Sequence, residues 1–73
     1  MTIGEKLREL RGDKTLAKVA EDLGITISAL SNYENDIRTP RDAMKIKIAE
    51  YYKKSVQSIF FAKEVHGTTQ NVE

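Results

Sequence analysis

Apolar residues recur at helical spacing through the first sixty positions of the chain and predict a series of short helices. The first helix has the apolar stripe Ile3, Leu7 and Leu10, which share one face of a helix. Thr2 precedes this stripe and Glu5 follows Thr2 by three residues, which is the form of a capping box. The segment therefore predicts a helix from residue 3 to about residue 11.

A second and a third helix are expected to follow, joined by a tight turn. Thr15 is the predicted N-cap of the second helix. Its inward residues are expected to be Val19, Ala20 and Leu23. Gly24 stands where a helix end favours a left-handed residue without a Cβ, and Thr26 follows as the next N-cap. The spacing therefore predicts a helix, a turn and a helix in immediate succession.

The third helix, roughly residues 27–35, has an unusual polar face. Leu30 and Tyr33 are the only large apolar residues suited to an inward stripe, and Ile27 stands at the exposed N-terminal end. The remaining positions hold short uncharged hydrogen-bonding side chains, namely Ser28, Ser31, Asn32 and Asn35. Such groups reach base edges in the major groove without bringing negative charge to phosphate. This pattern is typical of the recognition helix of a helix-turn-helix.

Two further helices complete the predicted bundle. Thr39 is expected to be an N-cap and Pro40 the first helical position of a fourth helix that ends near residue 52. Its inward face is expected to be Met44, Ile48, Ala49 and Tyr52. Ser55 is the predicted cap of a short fifth helix. In that helix the residues expected to pack on the core are Val56, Ile59 and Phe60.

Composition narrows the possible functions. The 73 residues suit one small domain, which we place at residues 1–61, followed by a polar tail at residues 62–73 that is expected to fray. The sequence has no cysteine, which excludes disulfides and thiolate metal sites, and the lone His66 is expected to be solvated. No apolar run approaches the ~20 residues of a membrane span, so we expect a cytoplasmic protein.

Charge does not decide the function. The net charge is +1, and residues 26–54 hold six basic against four acidic side chains. This surplus lies just after the predicted recognition helix, where DNA phosphates would pass. Ordinary solvated helix faces explain the same charges equally well.

The ordered set of motifs resembles the Cro/CI-type helix-turn-helix regulators of phages and bacteria, also called the XRE family, over about residues 3–60. The resemblance rests on the segments IGEKLRELR (3–11), VAEDLGI (19–25), SALSNYEN (28–35), RTP (38–40), IA (48–49) and SV (55–56). It is strongest for short prophage or mobile-element regulators. It implies an all-α, compact five-helix bundle of the lambda-repressor-like kind that binds operator DNA as a dimer.

The resemblance also implies roles for individual residues. The positions that match base-reading residues are Ile27, Ser28 and Asn32, with Ser31 beside them. Asn32 is the best direct reader, because an Asn side chain pairs with adenine in a bidentate way. The positions that match phosphate contacts are Thr15, Asn35, Arg38, Arg41 and Lys45.

Glu34 and Arg11 are expected to form a structural ion pair. A carboxylate at the end of a helix that faces the groove would repel phosphate unless it were neutralised. Members of the family pair this carboxylate with an Arg late in the first helix, and Arg11 occupies that place. The alternative, in which Arg11 reaches phosphate and Glu34 is solvated, remains open.

Leu16 and Ile27 depart from the family pattern, which usually has polar residues that meet DNA at these places. The two side chains are candidates for a small exposed apolar patch, with Ile27 against a thymine methyl group. The other interpretation is that one or both complete the local core. One phosphate contact of the family is therefore in doubt in this chain.

We expect a sequence-specific regulator of transcription, most simply a repressor whose operator overlaps a promoter. One recognition helix reads only a few base pairs, so we expect a homodimer on a symmetric operator. Its interface is predicted from the aromatic residues near the C-terminal end, Tyr51, Phe60 and Phe61, although these residues are also suited to the monomer core.

A helical protein-interaction module, such as an antitoxin or antirepressor, is the alternative. An enzyme finds no support, because the sequence has no Ser/His/Asp set and no glycine-rich phosphate loop. We expect no catalytic residue, metal, cofactor or small-molecule ligand.

Overall fold

The computed structural model describes residues 2–61, which form five helices and contain no strand. The helices are α1 (Ile3–Arg11), α2 (Leu16–Leu23), α3 (Ile27–Glu34), α4 (Asp42–Tyr52) and the short π-helix α5 (Gln57–Phe61). The prediction of an all-α bundle of five helices is confirmed. The predicted tail at residues 62–73, with His66, lies outside the described residues.

The helix starts follow the predicted caps in three places. The Thr2 hydroxyl accepts from the Glu5 amide at 3.1 Å, and the Thr2 amide donates to the Glu5 carboxylate at 2.9 Å, which completes the capping box. Thr15 and Thr26 each accept a backbone N–H three residues later, at 3.0 Å. Gly24 ends α2 with φ +74°, a conformation that costs little without a Cβ. The turn between α2 and α3 is therefore determined locally.

The predicted start of α4 is wrong. The N-cap is Arg41, not Thr39, and the helix begins at Asp42. Pro40 is buried in the irregular segment ahead of the helix. The φ angle of proline suits both a first helical turn and extended backbone, so a proline does not by itself decide where the helix begins. The carboxylate of Asp42 in the first turn complements the positive end of the helix dipole.

The core draws residues from every helix. Its buried apolar members are Leu7, Val19, Ala20, Leu23, Leu30, Ile48, Ala49, Ile59 and Phe60. Phe60 was predicted at a dimer interface, but only 3% of its surface is exposed. It fills the core of a single chain and offers no surface to a second one, which corrects that prediction.

The two apolar residues that depart from the family pattern have different environments. Leu16 is half-buried and packs against the core, whereas Ile27 is 51% exposed. Leu16 therefore completes the local core, and Ile27 presents its side chain to the surroundings. No helix in the described part of the chain is both long enough and apolar enough to cross a membrane.

The N-terminal turn of α1 lies directly against the last turn of α3. The amide of Gly4 donates to the Asp36 carboxylate at 2.9 Å. A Cβ added at Gly4 would lie 2.3 Å from the carbonyl oxygen of Glu34, far inside van der Waals contact. This close approach, not backbone conformation, is what requires glycine at position 4.

Replacing Gly4 with Ala is therefore expected to destabilise the protein. In a solvated helix the same change stabilises by up to about 1 kcal/mol, so the steric clash should reverse the sign. Ala17, which is exposed and holds the same second position in α2, provides the matched control. Ala17→Gly should cost about 1 kcal/mol or less. Urea unfolding of the three proteins measures both effects, and a Gly4→Ala protein as stable as wild type would contradict the close contact.

Candidate nucleic-acid interface

One face of α3 carries the four residues predicted to read bases. Their spacing, 27, 28, 31 and 32, places them on adjacent turns of one side of the helix, while Leu30 and Glu34 are buried on the other side. Ile27 and Ser28 are exposed, and Ser31 and Asn32 are half-buried. The fold thus keeps this polar face out of the core.

The polar groups on this face differ in whether they already form hydrogen bonds within the described chain. Within residues 2–61, the side chains of Ser28 and Asn32 make no hydrogen bond. The backbone carbonyl of Asn32 accepts from the amides of Ile37 and Arg38, at 2.9 and 3.2 Å. These bonds close the end of α3 while leaving the Asn32 amide group available to an external partner.

Glu34 is the buried charged residue of the described chain, and Arg11 neutralises it. Nε and Nη2 of Arg11 donate to the two carboxylate oxygens of Glu34 at 2.8 and 3.0 Å. The side chains are 18% exposed for Arg11 and 3% exposed for Glu34. The hydrogen bond to Glu34 raises the pKa of Arg11 above its ordinary value. A third bond, from Nη1 to the carbonyl of Lys14 at 2.7 Å, further engages the Arg11 guanidinium group within its own chain.

Four of the five residues predicted to contact phosphate are exposed, namely Thr15, Asn35, Arg38 and Arg41. Arg38 and Arg41 are exposed and form no ion pair with another described residue. Thr15 is also exposed, and its hydroxyl caps α2. Backbone amides at a helix start attract anions when they are accessible, so Thr15 lies at a suitable place for a phosphate.

Lys45 and Asn35 have other partners. The Lys45 side chain is 16% exposed, with Nζ 3.9 Å from Asp42 Oδ1. The same atom lies 5.7 Å and 5.1 Å from the ring centres of Phe60 and Phe61, within range of a cation–π interaction. The Asn35 amide is bonded to Arg8 and Ser31. Both side chains are therefore engaged within their own chain.

Sequence reasoning missed Arg8. Its Nη2 donates to the carbonyl of Glu34 at 2.8 Å and to Oδ1 of Asn35 at 3.0 Å. Arg8 precedes Arg11 by three residues and therefore lies on the same face of α1. That spacing is the signal in the sequence, but only the approach of α1 to α3 shows what the side chain meets.

The two remaining residues of the predicted dimer interface lie at the end of α4 and in α5. The Tyr51 hydroxyl donates to Asp22 at 2.6 Å and accepts from Lys14 at 3.4 Å, so it bridges helices of its own chain. The bond from Tyr51 lowers the pKa of Asp22, and pairing with Asp22 raises the pKa of Lys18. Phe61 is 41% exposed. Of the three aromatic residues predicted for the interface, Phe61 has the most accessible surface.

Tyr52 lies beside the Arg11–Glu34 pair with its hydroxyl buried. This hydroxyl has no hydrogen-bond partner among the described residues. Burial, followed by the nearby charge of Glu34, raises the pKa of Tyr52 to about 12. The fold therefore favours the neutral phenol at this position.

Residues 5–59 match the model of a protein family described as Helix-turn-helix. The matched segment begins inside α1 and ends inside α5, so it includes the Thr15 and Thr26 caps, the turn at Gly24 and the polar face of α3. No curated protein matches the chain.

Glu34→Ala is expected to destabilise the fold severely. Removal of one partner from a buried ion pair leaves an uncompensated charge and costs about 3–5 kcal/mol. Lys18→Ala, which removes the exposed partner of Asp22, is the control and should cost about 1 kcal/mol or less. Thermal and urea unfolding measure both. Equally small decreases in the free energy of unfolding for the two variants would contradict a structural role for the Arg11–Glu34 pair.

Tyr52→Phe is expected to flatten the loss of stability at high pH. The folded-state pKa of Tyr52 is raised from 10.0 to about 12, so its contribution is present below pH 10 and is lost as the pH rises from 10 to 12. Stability of the variant near neutral pH should change little, because the hydroxyl has no partner to lose. Urea unfolding of both proteins at several pH values in this window tests the point, and parallel curves would contradict it.

Proposed function

The chain belongs to the Helix-turn-helix family of DNA-binding transcriptional regulators, and we propose that it is a repressor of phage or mobile-element type that binds a symmetric operator as a dimer. In this proposal α3 enters the major groove and reads bases with Ile27, Ser28, Ser31 and Asn32. Occupation of an operator that overlaps a promoter blocks the polymerase sterically, without an enzymatic step. Such a protein acts where the DNA is, in the cytoplasm.

The polar face of α3 is the observation that carries the proposal. The side chains of Ser28 and Asn32 stand on this face without a hydrogen-bond partner in the described chain. These short side chains are accessible from outside the fold, and a base edge offers them donors and acceptors. The Asn32 amide has the geometry for a bidentate pair with adenine, worth about 1–3 kcal/mol of discrimination.

The distribution of charge around α3 supports binding to a polyanion. Glu34, the acidic residue of α3, is buried and paired with Arg11, so the helix brings no free carboxylate to the groove. Arg38 and Arg41 lie exposed in the segment that follows. We assign these two arginines, with Thr15, to the phosphates on either side of the recognition helix.

Dimerisation follows from the small number of bases that one α3 reads. Usable specificity in a genome requires two half-sites about one DNA turn apart. Ile46 is 52% exposed and Phe61 is 41% exposed, and both border a shallow apolar groove with Val56. We propose this surface, which includes Phe61 and excludes the buried Phe60, as the contact between two copies.

Exposed apolar residues elsewhere favour a second candidate function. Ile37 is 70% exposed and Ile27 is 51% exposed, and both lie close to the proposed DNA-binding face. A partner protein with an apolar surface would cover them, as expected for an antitoxin or antirepressor. Enrichment of a protein partner that competes with DNA would favour this function.

Selection of bound duplexes from a random DNA pool at near-physiological salt tests the proposal directly. A dimeric repressor should enrich a two-fold symmetric site with half-sites spaced by about one helical turn. Binding that is salt-sensitive but enriches no sequence would contradict operator recognition.

Two substitutions should separate base reading from phosphate contact. Asn32→Ala is expected to relax preference at one position of each half-site, at a cost of about 1–3 kcal/mol for the preferred base. Arg38→Ala should instead weaken binding to all sequences alike. It should also reduce the slope of the logarithm of the binding constant against the logarithm of the salt concentration by about one. Selection and salt titration of both variants provide the comparison. An unchanged preferred sequence in Asn32→Ala would show that Asn32 is not a reader.

A further inference from the structure

A chain of hydrogen bonds runs from α1 to the proposed DNA-binding face of α3. Arg8 Nη2 donates to Asn35 Oδ1 at 3.0 Å. The Nδ2 group of Asn35 then donates to the backbone carbonyl of Ser31 at 2.9 Å and to the Ser31 hydroxyl at 3.2 Å. The side chain of Arg8 is thus connected to Ser31 through Asn35.

The chemistry of the partners fixes the orientation of the Asn35 amide. A guanidinium group only donates hydrogen bonds, so the oxygen of the amide must face Arg8. A backbone carbonyl only accepts, so the NH₂ group must face Ser31. Both ends demand the same orientation, and a flipped amide would place two acceptors against each other at Ser31 and two donors against each other at Arg8.

This orientation engages one of the two lone pairs of the Ser31 hydroxyl and so favours donation by its proton. A serine hydroxyl alone can accept or donate, but here the Ser31 oxygen accepts from Asn35. Its proton has no acceptor within the described chain, and Ser31 shares the exposed face of α3 with Ser28 and Asn32. The hydroxyl proton is therefore available to a group outside the protein.

Arg8 is itself held in place by a second bond. The same Nη2 atom donates to the backbone carbonyl of Glu34 at 2.8 Å, at the end of α3. This anchor places the guanidinium group over the last turn of the helix and keeps it against Asn35. The position of the Arg8 side chain is therefore fixed relative to α3.

We propose that Arg8 is a positioning residue that, through Asn35, makes Ser31 a hydrogen-bond donor to acceptor atoms on base edges. The inference rests on the proposed function, because it assigns a specificity to the same site. The acceptors in the major groove are N7 and O6 of guanine, N7 of adenine and O4 of thymine, whereas the N4 amino group of cytosine only donates. Ser31 then favours G over C at the base pair it faces, and Arg8 influences that choice without touching DNA.

Selection from random duplexes tests this role with four variants: Ser31→Ala, Arg8→Met, Asn35→Ala and the double variant Arg8→Met/Ser31→Ala. Each single variant should reduce the preference for G over C at the same base step by roughly fivefold, the factor that a typical net hydrogen bond provides. The double variant should lose no more preference at that step than Ser31→Ala alone. Asn35→Ala keeps the bond from Arg8 to Glu34, so it separates loss of positioning from loss of stability.

Lys6→Met is the charge-matched control, because it removes one positive charge from α1 without a role in the hydrogen-bond chain. It should leave the preference for G over C unchanged. An equal loss of preference in Lys6→Met, or a uniform weakening for all sequences in Arg8→Met, would overturn the proposal and assign Arg8 to general attraction or phosphate contact.

Nuclear magnetic resonance of the free protein gives a readout that needs no DNA. The side-chain NH₂ resonances of Asn35 should move towards those of a solvated asparagine in Arg8→Met and stay in place in Lys6→Met. Unchanged Asn35 resonances in Arg8→Met would overturn the positioning role by itself. A wild-type protein that selects no sequence would overturn the proposed function, and with it the reading role of Ser31.

Discussion

The packing of the N-terminal turn of α1 against the last turn of α3 is the contact on which the rest of the structure depends. Gly4 lies so close to the Glu34 carbonyl that a Cβ would not fit. Its amide bonds to Asp36, whose φ of +61° turns the chain away from α3. The Asp36 side chain thus satisfies a backbone amide at the start of α1, and the Arg8 side chain satisfies the Glu34 carbonyl at the end of α3. This contact sets the angle of α3 and so decides which of its faces is left outside.

The same contact removes negative charge from the proposed DNA-binding surface. Arg11 reaches Glu34 from α1 and forms a buried bidentate pair with it. Arg8, one turn earlier, bonds to the backbone at Glu34 and orients the Asn35 amide. Two arginines of α1 therefore act on α3 in different ways. Arg11 neutralises the carboxylate of Glu34. Arg8 orients the side-chain amide of Asn35. A buried pair of this kind contributes little net stability over an apolar substitute, so its value here lies in holding a defined arrangement.

Much of the fold was predictable because its signals are local. Thr2, Thr15 and Thr26 cap helices through bonds to the backbone three residues away, and such bonds require no distant part of the chain. Thr39 failed as a cap, since a proline after it suits extended backbone as well as a first helical turn. Phe60 failed as an interface residue because its burial depends on residues far away in sequence. The sequence around an aromatic residue is the same whether its ring lies in the core or on the surface, and only the packing distinguishes the two.

The sequence by itself determined the five helices, the turn at Gly24 and the short polar side chains that make the face of α3 distinctive. These features follow from periodicity, caps and backbone preferences within a few residues. Only the tertiary structure decided the bonding of that face. Among residues 2–61 it left the side chains of Ser28 and Asn32 without a hydrogen-bond partner. It also placed Lys45 against Phe60 and Phe61 and connected Ser31 to Arg8 through Asn35. The physical reason is that hydrogen-bond polarity and charge pairing depend on distances of about 3 Å, and those distances are set by how helices pack.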